Sequence, residues 1–167
     1  LDPEKWQEQV AWSVEKMREA NKPVAIVVRK GVFSSYDIED RGSELPLKRE
    51  QALEAMLDAI DPSDFLVSTT GKTSREVFEI RERRGEGHSQ DFLTVGGMGH
   101  ASSIAMGMAM GSDARVYCID GDGAFLMHMG AIAVAAQKAP ENFRYVLINN
   151  GAHESVGGQP TVAFDID

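Results

Sequence analysis

Two polar turns in this sequence stand at a spacing that can hold a divalent ion. Gly121-Asp122-Gly123 closes one apolar run, Asn149-Asn150 closes the next, and 25 residues separate them. If those runs are neighbouring strands, the Asp122 and Asn150 side chains lie side by side. Both offer hard oxygen. Mg²⁺ takes about six oxygens at roughly 2.1 Å, commonly one or two from protein and the rest from phosphate and water. Asp122, the Asn150 side-chain oxygen and one loop carbonyl leave room for a diphosphate and a water. Gly123 has no Cβ, so its backbone lets N–H groups approach a phosphate. Either motif alone is an ordinary turn; the pair at this spacing points to a metal–diphosphate site.

Two further glycine loops invite other readings. Ser68-Thr69-Thr70-Gly71-Lys72-Thr73-Ser74 follows the apolar run Phe65-Leu66-Val67. A nucleotide-hydrolysing cradle needs G-x-x-x-x-G-K-[ST], and Leu66 stands where its first glycine belongs. The loop is too short to wrap a nucleotide. Gly97-Met98-Gly99-His100-Ala101-Ser102 approaches a dinucleotide fingerprint, with Asp120 at the distance of a ribose contact. Ser102 replaces the third glycine. An NAD-binding Rossmann dehydrogenase therefore stands as an alternative.

The elements that must position these loops are legible from periodicity. Residues 3–20 read as a helix, Val24–Val28 as a strand covered on both faces, 31–46 as a linker, and Leu47–Ile60 as a second helix. Beyond it, strands at 65–69, 92–95, 116–120 and 145–148 alternate with helices at 74–84, 101–110 and 124–138. Such alternation means an α/β fold with a doubly wound, mostly parallel sheet. Ligands in such sheets sit beyond the carboxyl ends of the strands. Four loops occupy that position: 70–73, 96–100, 121–124 and 149–158.

Bulk properties narrow the classes. The 167 residues carry a net charge of −9, with 43% hydrophobic and 26% charged residues and no basic stripe. That excludes nucleic acid and an anionic membrane surface as partners. No apolar stretch reaches membrane-spanning length. The single cysteine, Cys118, reads as a buried thiol in a cytoplasmic protein. The start at Leu1, without Met or a signal sequence, reads as a fragment.

"GDGAFLMHMGAIAVAAQKAPENFRYVLINN" resembles the metal and diphosphate motif of thiamine diphosphate enzymes, and "VGGMGHASSIAMG" resembles their aminopyrimidine loop. "NNGAHESVGGQPT" resembles, more narrowly, the phosphonopyruvate decarboxylases and their sulfopyruvate relatives. The resemblance covers 47–167 and implies a diphosphate-binding domain, incomplete at its C-terminus, with 1–30 as the tail of a pyrimidine-binding domain. It implies Mg²⁺ held by Asp122, Asn150 and the Ala152 carbonyl. Gly121, Gly123 and Ala124 would face the diphosphate, bordered by Gly71, Lys72 and Thr73. The Gly96 carbonyl would accept from the 4′-amino group, and Met98 would prop the bent cofactor.

The implied reaction is decarboxylation of a 2-oxoacid, phosphonopyruvate first and sulfopyruvate second. The family also uses a pyrimidine-domain glutamate for which this sequence holds no candidate. The missing domain or a partner subunit would supply it, in a homo-oligomer.

Among the histidines, His153 beside Glu154 and Ser155 is the candidate for proton transfer near neutral pH, with Glu154 the second catalytic candidate. His100 follows the cofactor loop and is a weaker candidate. His88 reads as solvated and His128 as a packed helical residue. Gln159 and Thr161 either bind substrate oxygens or order their loop. The methionines at 98, 106, 108, 110, 127 and 129 read as core filler, apart from Met98, and the charge run 79–86 as a solvated helix face.

Overall fold

Four apolar runs of the second half condense into one parallel sheet. The computed structural model describes residues 1–35 and 46–165, so most of the expected linker 31–46 lies outside the described residues. The chain divides into two compact units, Leu1–Glu39 and Asp40–Asp167.

The first unit holds one helix, α1 (Trp6–Ala20), closed by Asn21 in the left-handed conformation at φ 50°. The expected strand at Val24–Val28 does not form: the segment joins no ladder, and Val27 is 75% exposed. A strand needs a neighbour for its N–H and C=O groups, and no second strand stands in this unit among the described residues. An apolar run reveals that a segment can pair, not what it pairs with.

The second unit begins with α2 (Arg49–Ala59). It continues through β1 (Phe65–Ser68), α3 (Lys72–Arg84), β2 (Asp91–Leu93), α4 (Ala101–Met110) and β3 (Val116–Gly121). Next come α5 (Asp122–Met127), α6 (Gly130–Lys138) and β4 (Phe143–Ile148). The sheet order is β2-β1-β3-β4, and every pairing is parallel. A separate antiparallel ribbon, β5 (Ala152–His153) with β6 (Gln159–Pro160), follows β4.

Successive strand residues point to opposite faces, and each face has its own core. Leu66 and Ile119 pack with Leu53 and Leu57 of α2 and Val77 and Ile80 of α3. Val67 and Cys118 pack with Ala101, Ala105 and Ala109 of α4. The four-residue spacing of those alanines keeps one small-residue face of α4 close against the sheet. Helices therefore cover both faces, as the alternating pattern requires.

Several boundaries differ from expectation. β2 stops at Leu93, and Val95 is 96% exposed beyond it. The single helix expected over 124–138 is two. His128 leaves helical geometry at φ −142°, ψ 44°, and its amide closes on Phe125 O in a tighter turn. Periodicity carries across a break of this length, so it could not reveal it. His128 is exposed at the break, and Met110, at the end of α4, and Met127 and Met129, beside His128, are more than half exposed; these are not core filler. The charge run on α3 also does more than face water. Arg83 pairs with Glu54 and Arg84 with Asp58, tying α3 to α2.

Candidate active site

Winding direction changes between β1 and β3, because β1 is followed by β2 on one side and β3 lies on the other. A crevice opens beyond the carboxyl ends of strands at such a point. Here β3 runs directly into α5, so Asp122 leaves the strand tip as the first residue of the helix. The β3–β4 register pairs Gly121 with Ile148, which puts the Asp122 and Asn150 tips on adjacent strands at one end of the sheet.

One small cavity of about 50 Å³ collects the tips. It is lined by Lys72 and Thr73 after β1, Met98 after β2, Gly121, Asp122, Gly123 and Ala124 after β3, and Asn150, Ala152, His153 and Glu154 after β4. Eleven of the thirteen expected site residues thus meet in one place. Gly71 instead lines a neighbouring groove beside α3, with Ser155 pressed on it so closely that a Cβ would collide. Gly96 is exposed and has nothing near its Cβ position.

Asp122 is buried at 3% exposure, and its Oδ2 accepts a hydrogen bond from the Thr161 hydroxyl. Asn150 Oδ1 accepts from the Ala152 amide at 3.1 Å, and Asn149 Oδ1 accepts from the Gly151 amide at 3.0 Å. These turns fold the loop back on itself, and Asn150 and Ala152 line the cavity together with Asp122. The donor set is hard oxygen, which suits Mg²⁺. The Thr69 hydroxyl, on the same cavity, is buried without a hydrogen-bond partner. The Asp120 carboxylate lies beside it, just outside bonding geometry. The residues present therefore fit a metal-held diphosphate.

The β5–β6 ribbon roofs the cavity. The His153 ring lies against Gly123 where any Cβ would collide with it. That contact gives the second glycine of the motif a packing reason of its own. Glu154 is not free: its Oε2 accepts from Arg49 Nη1 at 2.8 Å and from Lys72 Nζ at 3.3 Å. Burial works to raise its pKa, but the two cations prevail and hold it below the usual carboxylate value. A carboxylate held ionised in this way is a tether rather than a proton donor.

Asp120 does not face a ligand. It is 1% exposed, accepts from the Tyr145 hydroxyl at 3.0 Å and from the Gly121 amide at 3.0 Å, and has no route to a ribose. Burial raises its pKa, while Tyr145, Gly121 and the Thr69 hydroxyl, close by but outside bonding geometry, pull it down. Burial, reinforced by Asp120, raises the Tyr145 phenol as well. This removes the contact on which the dinucleotide reading depended.

His100 and His128 meet edge to face at 4.5 Å, and neither lines the cavity. His88 is not merely solvated: it stacks on Phe78 at 4.4 Å and pairs with Glu82 at 2.9 Å. Gln159 is exposed on β6 and lies off the cavity. Thr161 orders the loop by gripping Asp122. Sequence reasoning missed Arg49. Its partners Glu76 and Glu154 lie 27 and 105 residues away, beyond any local pattern.

Fold and crevice together define a doubly wound α/β domain with a crevice at the strand tips. The family described as "Thiamine pyrophosphate enzyme, C-terminal TPP binding domain" matches residues 69–166, and the chain belongs to that family. It is 40% identical over 119 residues to a phosphonopyruvate decarboxylase of Streptomyces hygroscopicus, covering 71% of this chain and 28% of that protein. It is 35% identical over 121 residues to the sulfopyruvate decarboxylase subunit beta of Methanothermobacter thermautotrophicus, covering 72% and 62%. The chain thus spans under a third of the length of the first relative. An X-ray structure described as a thiamin diphosphate-dependent enzyme from Mycobacterium smegmatis shares the fold. It matches at TM-score 0.53 and 24% identity, over 74% of this chain and 25% of that one.

Proposed function

We propose that this chain is the diphosphate-binding part of a thiamine diphosphate- and Mg²⁺-dependent 2-oxoacid decarboxylase, converting phosphonopyruvate to phosphonoacetaldehyde and CO₂. The observation that carries the reading is the convergence of Asp122, Asn150 and Ala152 on one cavity at adjacent strand tips, in a chain of this family. Asp122, Asn150 and the Ala152 carbonyl hold the ion. The Gly123 and Ala124 amides, with Thr73, face the diphosphate. Gly96 and Met98 lie toward the aminopyrimidine, and Gly71 and Lys72 border the phosphate end.

The bound cofactor supplies the electron sink for the carbanion left by CO₂ loss. The chain supplies orientation, exclusion of water beneath the β5–β6 roof, and a proton. Loss of CO₂ leaves a carbon that must gain one proton to become the aldehyde. His153, on the roof of the cavity, is placed to carry it. A pyrimidine-binding domain or subunit completes the site, consistent with relatives named as beta subunits. Sulfopyruvate is the second reading, favoured by those same relatives.

Calorimetric titration of the complete protein with thiamine diphosphate, with and without Mg²⁺, tests the cofactor. Binding that needs the metal is expected; heat with NAD but none with thiamine diphosphate would reject the reading. Decarboxylation assays on both acids test the substrate, and turnover of the sulfonate alone would reject phosphonopyruvate.

A further inference from the structure

We propose that Arg49 and Lys72 form a seat for a tetrahedral oxyanion at the mouth of the cavity, and that the Glu154 carboxylate occupies it as a stand-in. Assigning that anion to the distal phosphonate or sulfonate of the substrate rests on the decarboxylase reading. The seat itself rests on geometry.

Arg49 is built as a presenter. Its Nε and Nη2 lie 2.7 and 2.6 Å from the two carboxylate oxygens of Glu76, a fork-to-fork pair that fixes the guanidinium plane. The remaining Nη1 points across the cavity mouth to Glu154. Lys72, at the start of α3, reaches the same Glu154 oxygen from the other side. One oxygen thus receives donors from two different elements, as one oxygen of a phosphonate would. Arg49 is pinned, with a side chain only 16% exposed, so it loses little freedom when an anion arrives.

Glu154 is the member carried on a short turn. It opens a one-turn 3-10 helix, Glu154–Val156, followed by Gly157 and Gly158 at φ 113° and 79°. Both glycines hold backbone conformations that other residues rarely adopt. The cavity beneath is about 50 Å³, a third of the ~150 Å³ that accepts a benzene-sized guest. Glu154 already fills the seat, so an incoming anion must displace its carboxylate. With Glu154 withdrawn, Arg49 Nη1 and Lys72 Nζ lose the carboxylate oxygen that they share. An anionic substrate group would replace that acceptor; a neutral side chain of the same size would not.

The test is calorimetric titration of methylphosphonate into the complete, partner-containing protein, as wild type, Glu154→Gln, Lys72→Gln and Arg49→Lys. Relative to wild type, Glu154→Gln is expected to bind about tenfold tighter, because the competing anion is gone. Lys72→Gln and Arg49→Lys should each bind at least fivefold weaker. Lys72 is 48% exposed, so its variant folds even if the Arg49 variant does not.

Equal affinity in all variants, or no binding to Glu154→Gln, overturns the seat and leaves Glu154 as a strut. Full competition by thiamine diphosphate with Mg²⁺ also overturns it, because the cations would then serve the cofactor. A parallel titration with methanesulfonate identifies the source: whichever probe binds tighter marks the substrate group. A protein that binds methylphosphonate in the expected variant order but takes no thiamine diphosphate keeps the seat and loses the decarboxylase reading.

Discussion

The Thr161 hydroxyl donates to the Asp122 carboxylate across 39 residues of sequence, and both side chains are buried. The Thr161 amide also donates to Gly151 O at 2.8 Å. One residue thus joins the end of the roof to the acidic strand tip and to the turn after Asn150. Removing the hydroxyl without changing shape isolates that role. Thr161→Val should lower stability by about 1.5–3 kcal/mol, the range for a hydrogen bond to a charged group. It should also weaken Mg²⁺-dependent thiamine diphosphate binding. Thr161→Ser should keep most of both. Denaturant melts and calorimetry check the two readouts.

Gly123→Ala should cost roughly 1–3 kcal/mol, as overpacking does, because a Cβ there strikes the His153 ring. The double variant Gly123→Ala/His153→Ala should recover most of that loss. A double-mutant cycle on chemical denaturation reads the coupling, and additive losses would contradict the contact.

Two glycines of the Met98 loop should respond differently. Gly99 sits at φ 88°, and a Cβ would stand 3.0 Å from Ala124 O, so Gly99→Ala should cost more than ~1 kcal/mol. Gly96 has open space, and Gly96→Ala should change stability by less than about 0.5 kcal/mol. Thermal melts of the pair decide.

Burial, helped by Asp120, pushes the Cys118 thiol above its ordinary value of 9.0. A raised pKa means the folded state keeps its proton where the unfolded chain loses one. The stabilising contribution is therefore complete below 9.0 and declines as pH rises above it. The native protein should resist a thiol-disulfide reagent at pH ~9, near the ordinary thiol value. It should react fully once denatured. Prompt labelling of the native state would mean that the centre of β3 opens readily.

The strand–helix alternation after residue 64 was legible because buried parallel strands and amphipathic helices leave different periods. So was the placement of Asp122 and Asn150 on adjacent strand tips, which needed only that β3 and β4 be neighbours. The Val24–Val28 strand was misread because apolar content says nothing of a ladder partner. The break at His128 was invisible because the spacing of apolar residues continues across it. Arg49 carried no signal at all: an arginine on an amphipathic helix is ordinary, and only folding brings Glu76 and Glu154 to it. Thr161 was noticed for its hydroxyl, but nothing in its neighbourhood named Asp122 as the acceptor.

The β5–β6 ribbon shares no ladder with the main sheet. It touches the rim through side chains: His153 on Gly123, Ser155 on Gly71, Glu154 on Arg49 and Thr161 on Asp122. Ala152, one of the proposed ion ligands, opens this ribbon, and Thr161 closes it on Asp122. A change in the length of the ribbon would therefore shift the roof and the ion's protein ligands together.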